Sequence, residues 1–360
     1  MCLCRKPDEL GMFELVLGWG VYCRNKDLCM FSTEKENNLF IKEKQTVLSR
    51  PEMRLLSFVS GEIVKVGLVT SRGILDLAKC YQNVYGDSAA PHWLYSMKHL
   101  LAGGEDALNL VTKLEKKATE LSDPSLFYHE SEVKIKPPIT DPSKILCVAA
   151  NYVSHSKELE IKVPERPYFF GKFQNTLVGH GGEILIPKTS SKVDYEIELA
   201  VIIGKKGKYI SKSRAYEHVA GYTVFNDVSF RDKQFPPGWP QKLNPYGQNW
   251  ILGKSLDTAA PCGPYLVTKD EVGSPYPLRL TLTVNGEVRQ EGTTDDMFFK
   301  IDDLIEYISD GLTLEPGDII ATGTPAGVAA AGKTYLQHND VIVCDIEKVG
   351  VLRNKVVREG

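Results

Sequence analysis

From Ile145 onward the chain reads as short β-like runs broken by turns, with no alternation of strand and helix, and this texture narrows the fold more than any other feature. The runs ILCVAA, IELAVIIG, VAGYTVF, LRLTLTVNGEV, DIIATGT and DVIVCDI are rich in β-branched and apolar residues. Asn285-Gly286 lies between two of these runs as a hairpin turn signal. One helix is predicted, Ile301–Ser309, where Leu304, Ile305 and Ile308 make an apolar stripe. A doubly wound parallel sheet needs strand and helix to take turns, so it is disfavoured. The expectation for residues 144–360 is a mostly β, rolled or barrel-like domain within an α+β chain.

Upstream, RLLSFV, IVKVGLV and GILDL read as strands, and residues 91–121 switch to helical spacing through Leu101, Leu108, Val111 and Leu114. This predicts a small α+β N-terminal domain over 53–121. The stretch 122–143, rich in Pro, Asp and Ser, reads as a linker. Residues 1–52 read as a variable N-terminal extension; the apolar run Phe13–Cys23 is too short and too acidic for a targeting signal.

Charge excludes some partners. With 43 Lys+Arg against 46 Asp+Glu, the net charge of −3 offers no basic face to nucleic acid or to a membrane surface. No apolar run reaches the roughly 18 residues that a membrane span needs. The eight cysteines are scattered and do not form a disulfide framework, and Cys147 and Cys344 sit in β-like runs as small core residues. Together with the lack of an Asn-x-Ser/Thr sequon, this predicts a cytoplasmic protein, with a mitochondrial location also open.

Three clusters could carry chemistry. In Asp194-Tyr195-Glu196-Ile197-Glu198-Leu199, residues i and i+2 of a strand share a face, so Glu196 and Glu198 project together. Two like charges entering an apolar run need a cation, a base or a shared proton, although an acidic edge strand facing water fits the same spacing. In Gly221–Asp232 an apolar strand ends in Asn226, Asp227, Ser229 and Arg231. Asp227 is placed to be a third oxygen ligand and Arg231 to fork a substrate carboxylate; a capped surface turn is the alternative. Three carboxylates without His or Cys suit Mg²⁺, Mn²⁺ or Ca²⁺ rather than zinc. In Asn151–Glu158, His155 and Glu158 are spaced i, i+3, as a water-activating pair or a surface pair would be.

Lys254 follows Gly253 and could stabilise an enolate, and the loop Thr322–Gly327 offers amides and hydroxyls to an anion. Gly327–Thr334 matches the phosphate-binding pattern G-x-x-x-x-G-K-T, but a strand rather than a helix follows it, which excludes nucleotide binding there.

Taken in order, NYVSHSKE, VDYEIELAVIIG, GYTVFNDVSFRDKQ, GKSLDTAAPCGPYLVTKDEV, LTVNGEVRQEGTT and LEPGDIIATGTPAGV resemble the fumarylacetoacetate hydrolase family, from about Pro137 to Val357. The 53–80 segment is similar to the N-terminal part of its longer members. The resemblance implies a mixed β-roll, a homodimer, and Mg²⁺ or Mn²⁺ held by Glu196, Glu198 and Asp227. It implies a lid dyad of His155 and Glu158 that activates water, with Lys254 catalytic and Arg231, Gln234 and Thr324 binding a small oxo-acid or dicarbonyl substrate. Phe225 and Phe230 stand where many relatives carry small residues, and are expected to reshape the pocket. The stretch 235–249 is longer than in compact members.

The expected reaction is hydrolytic C–C cleavage of a β-dicarbonyl or acylpyruvate-type oxo-acid through an enolate. The alternative on the same site is an oxaloacetate-type keto–enol tautomerase or decarboxylase, and a lesser one is a metal-binding scaffold without activity.

Overall fold

A computed structural model describes residues 53–86, 90–235, 249–332 and 334–360, with the backbone of two short paired strands, Leu15–Val16 and Gly20–Val21. Apart from those strands, the expected extension over 1–52 lies outside the described residues, as does 236–248 of the long loop. Arg50–Gly360 forms one compact unit.

Its centre is the strand Ile197–Ile203, buried at every position. Alternation sends Ile197, Leu199, Val201 and Ile203 into one apolar core and Ala200 and Ile202 into another. Each large side chain so buried contributes about 1.5–3 kcal/mol. The edge-strand alternative is thereby removed, since this strand has neighbours on both sides. It pairs antiparallel with Val219–Asn226 and with Ile319–Ala321.

These strands sit within a 12-stranded sheet. Beyond Ile319–Ala321 come Ile145–Ala149, parallel to it, and then Tyr168–Lys172. Beyond Val219–Asn226 come Ala260–Thr268 and the upstream strands Arg54–Ser60, Ile63–Thr70 and Gly73–Asp76. The predicted linker 122–143 contributes two of this sheet's strands, Phe127–Tyr128 and Lys134–Lys136, which pair with Gly73–Asp76 and Arg54–Ser60. Its prolines do not interfere, because Pro137 and Pro138 follow the second strand rather than interrupt it.

A five-stranded sheet runs in the order Glu183–Ile186, Gly350–Arg358, Val341–Ile346, Arg279–Val284, Glu287–Thr293. Both sheets run from one edge strand to another, so the strand-rich α+β fold is open rather than a closed barrel. At the Asn285-Gly286 turn both residues have positive φ, +54° and +84°, as a type I′ hairpin requires.

The helical spacing in 91–121 becomes Met97–Ala102 and Gly104–Leu121, the second burying Ala107, Val111, Leu114 and Ala118 along one stripe. The predicted helix Ile301–Ser309 forms with those bounds. No helix among the described residues is long and apolar enough to cross a membrane. Phe225 and Phe230 are fully buried in the apolar cores and are not among the residues that line the cavity described below.

Candidate active site

The strand register brings the acidic clusters together. Ile197 pairs with Asn226 and Glu198 with Phe225, which sets Glu196 beside Asp227 at the strand ends. Asp227 N donates to Glu196 O at 2.8 Å, and Glu196 N donates to Asn226 Oδ1 at 2.9 Å. Glu196, Glu198 and Asp227 are all buried, and one carboxylate oxygen from each lies within 4.8 Å of the others.

Three cations, Lys172 and Lys254 buried and Arg231 half-buried, answer this charge. Lys254, at the end of the helix Trp250–Lys254, places Nζ 2.8 Å from Glu196 Oε2 and 2.6 Å from Asp227 Oδ2. Lys172, ending the strand Tyr168–Lys172, donates to Asp227 Oδ1 at 2.7 Å and to Val228 O at 3.1 Å. Arg231 donates through Nε to Asp194 Oδ2 at 2.8 Å, through Nη1 to Gln234 Oε1 at 3.1 Å, and through Nη2 to Glu196 Oε1.

Glu198 forms no ion pair among the described residues; its Oε2 accepts the Gly323 amide at 2.7 Å. Four carboxyl groups (Asp194, Glu196, Glu198, Asp227) thus meet three cations, so one negative charge is left over when all four are ionised. Burial, together with Asp227 and Glu196, pushes the Glu198 carboxyl well above the usual carboxylate range. Burial also raises Glu196, but Lys254 and Arg231 outweigh it and hold that carboxyl at about 2. Burial disfavours the Lys254 ammonium, yet Asp227 and Glu196 raise its pKa above the ordinary lysine value and keep it charged. An all-oxygen donor set with one charge uncompensated fits a hard divalent cation.

The loop after Ile319–Ala321 does bind anions with its amides, and the anions are the protein's own. Besides Gly323 on Glu198, the Gly327 amide donates to both Glu158 oxygens at 2.9 Å. Gly323 has φ +95°, and a Cβ there would lie 2.9 Å from Asn151 Cβ; at Gly327, with φ +107°, it would lie 2.1 Å from Arg289 O. Held this way, Glu158 stands 3.7 Å from His155 Nδ1, too far for a hydrogen bond.

Thr324 donates to Ile197 O and accepts from Gln290 Nε2, each at 2.8 Å. Arg231, expected as a free fork, is engaged by Asp194, Glu196 and Gln234 and so buttresses Glu196. Even so, every site residue predicted from the sequence except Glu158 lines one cavity of about 930 Å³.

Three residues went unread in the sequence. Lys172 carries a buried charge onto Asp227. Asp194 accepts the Ala329 and Ala330 amides at 2.6 and 3.0 Å as well as Arg231. Gln290 ties Ile197 N to Thr324 and Pro325. Only Lys172 leaves a trace in the sequence, as a lysine closing the apolar run YFFG.

The likeness to known proteins agrees with this arrangement. The chain is 42% identical over 312 residues to oxaloacetate tautomerase FAHD2A, mitochondrial, of Homo sapiens, covering 85% of this chain and 92% of that protein. It is 39% identical over 313 residues to oxaloacetate tautomerase YisK of Bacillus subtilis (strain 168), covering 84% of this chain and 100% of that one. Maleylpyruvate hydrolase from Sphingobium sp. SYK-6, solved in complex with manganese(II) ion and pyruvate, matches at TM-score 0.66 and 28% identity over 86% of this chain and 100% of its own. Residues 144–357, which hold all three clustered carboxylates, match the family model for the fumarylacetoacetate (FAA) hydrolase C-terminal region. The chain therefore belongs to the fumarylacetoacetate hydrolase family of enzymes.

Proposed function

We propose that this enzyme is a divalent-metal-dependent keto–enol tautomerase of oxaloacetate-type 2-oxo acids, with Glu196, Glu198 and Asp227 as the metal ligands. The observation that carries the reading is the buried carboxylate triad, one charge short of balance, in a cavity it shares with His155 and Lys254. The two oxaloacetate tautomerases, 42% and 39% identical over most of their length, favour tautomerisation over the C–C hydrolysis expected first. The human relative's name extends the reading to a mitochondrial home.

Bound at the triad, Mg²⁺ or Mn²⁺ supplies Lewis-acid polarisation of the 2-oxo group. Lys254, held as an ammonium between Glu196 and Asp227, orients both ligands and places fixed positive charge where an enolate needs it. Arg231 and Asp194 hold Glu196 in place, and Lys172 holds Asp227. His155 is the group that moves the proton between carbon and oxygen. Its Nδ1 is buried without a hydrogen bond, so closing the 3.7 Å gap to Glu158 would fix its tautomer.

Hydrolysis stands second. It is supported by the likeness to maleylpyruvate hydrolase, but it needs a His155–Glu158 hydrogen bond that is open in this arrangement.

The test follows the enol absorbance and the products of oxaloacetate and acetylpyruvate on protein loaded with Mg²⁺ or Mn²⁺. Faster enol–keto exchange of oxaloacetate without cleavage is expected. Glu196→Ala should abolish it, and His155→Ala should lower kcat by about 10²–10⁴-fold. Pyruvate and acetate from acetylpyruvate, with oxaloacetate exchange unchanged from the buffer rate, would make the enzyme a hydrolase instead.

A further inference from the structure

His155 and Glu158 ride on a helix of six residues, Val153–Glu158. So short a helix is marginal by itself, and its place must be set from outside. Its N-cap residue, Tyr152, makes no side-chain cap bond, so the first amides need another acceptor. Ser154 stands at the second helical position, where a cap oxygen normally accepts. That oxygen comes from a segment 142 residues away: Ser154 N donates to Asp296 Oδ2 at 2.9 Å. A carboxylate is also the charge that a helix N-terminus favours.

The residues that follow Asp296 are tied to the start of this helix. Phe298 N donates to Asn151 O at 2.7 Å, and Phe299 N donates to Asn151 Oδ1 at 2.8 Å. Asn151 Nδ2 in turn donates to Phe299 O at 3.0 Å and to Thr322 O at 2.8 Å. Tyr152 and Met297 face each other as an antiparallel bridge. Thr322 precedes Gly323, whose amide holds Glu198. One buried side chain, Asn151, thus joins the Asp296 segment, the loop behind a proposed metal ligand and the start of the helix. Along the helix, Ala326 N donates to Ser154 Oγ at 3.3 Å and Gly327 N donates to Glu158. His155, between these anchors, lines the cavity of the triad.

We propose that Asp296 is a positioning residue for His155. It supplies, from a distant segment, the cap that keeps the helix formed and the imidazole in the cavity. Asp296 is not among the residues that line that cavity, so it acts through the helix. This rests on the reading of His155 as the group that moves the proton. Asn caps a helix about as well as Asp, whereas Ala has no oxygen to offer. Asp296→Asn should therefore keep the imidazole in place, and Asp296→Ala should release it.

The experiment follows enol–keto exchange of oxaloacetate on the Mn²⁺-loaded full chain in wild type, Asp296→Ala, Asp296→Asn, His155→Ala and the double variant Asp296→Ala with His155→Ala. Asp296→Ala should lower kcat about fivefold or more, with KM and Mn²⁺ affinity within about twofold of wild type. Asp296→Asn should stay within about twofold in all three. In the His155→Ala background the lost cap should have no further effect, because no imidazole is left to place. A general loosening of the fold would lower both backgrounds alike and move Mn²⁺ affinity. Amide hydrogen exchange over 153–159, read by mass spectrometry, should quicken about fivefold in Asp296→Ala and stay unchanged over Ile197–Ile203. Equal kcat in wild type and Asp296→Ala, a further loss in the double variant, or Asp296→Asn as impaired as Asp296→Ala would overturn the proposal. If wild type turns oxaloacetate over no faster than buffer, the tautomerase reading fails, and amide exchange alone decides whether Asp296 holds the helix. Fast turnover that ignores Asp296→Ala sinks only the positioning role.

Discussion

Glu198 is the one carboxyl of the triad without an ion pair among the described residues, and its titration should be visible in stability. In the metal-free protein its carboxyl is raised by burial and by Asp227 and Glu196, above the roughly 4.3 of an unfolded glutamate. Between those two values the folded state holds a proton that the unfolded state has lost, so stability falls as pH rises through the window. Glu198→Gln removes that slope. Thermal melts in EDTA should show the variant more stable than wild type by about 1–3 kcal/mol near neutral pH and equal to it near pH 4; parallel pH profiles would contradict this. The ligand set was legible in the sequence because carboxylates seldom enter an apolar strand unless something neutralises them. Lys172 and Gln290 were not, because their partners lie 55 and 34 residues away and nothing local marks the pairing.

At the scale of elements, the loop Thr322–Gly327 acts as a splint, one amide on a proposed metal ligand and another on Glu158. Gly323→Ala adds a Cβ 2.9 Å from Asn151 at φ +95°, so the amide must leave Glu198. We expect a cost of about 1–3 kcal/mol in stability and a fall in Mn²⁺ affinity of about tenfold or more by titration calorimetry. Gly311→Ala, also at positive φ but with nothing within 4 Å, should be destabilised and keep its Mn²⁺ affinity. If both variants lose affinity alike, the splint has no role in the metal site. Long strands and the hairpin were readable because composition, period and turn residues agree. The strands Phe127–Tyr128 and Lys134–Lys136 were not, since two or three residues carry no period and the flanking prolines dominate the local signal.

For the whole molecule, a cation at the triad should act as a folding ligand, because the carboxylates converge only when Ile197–Ile203 has paired with Val219–Asn226. Mn²⁺ at about a hundred times its Kd should add about 2.7 kcal/mol. The thermal midpoint should climb with Mn²⁺ in wild type and stay level in Asp227→Ala; a midpoint indifferent to Mn²⁺ in wild type would argue against the site. The strand-rich α+β class was legible because many short β runs leave few other architectures. Openness was not, since closure depends on how edge strands register with one another, which no single strand's sequence carries. The five-stranded sheet also has a consequence in time. Glu183–Ile186 pairs within it with one strand alone, Gly350–Arg358, which is synthesised long afterwards. At ordinary elongation rates Ile184 and Ile186 must wait on the order of 10–30 s for their cover. During that interval the nascent chain carries an unmatched, sticky edge, and a chaperone has its best opportunity there.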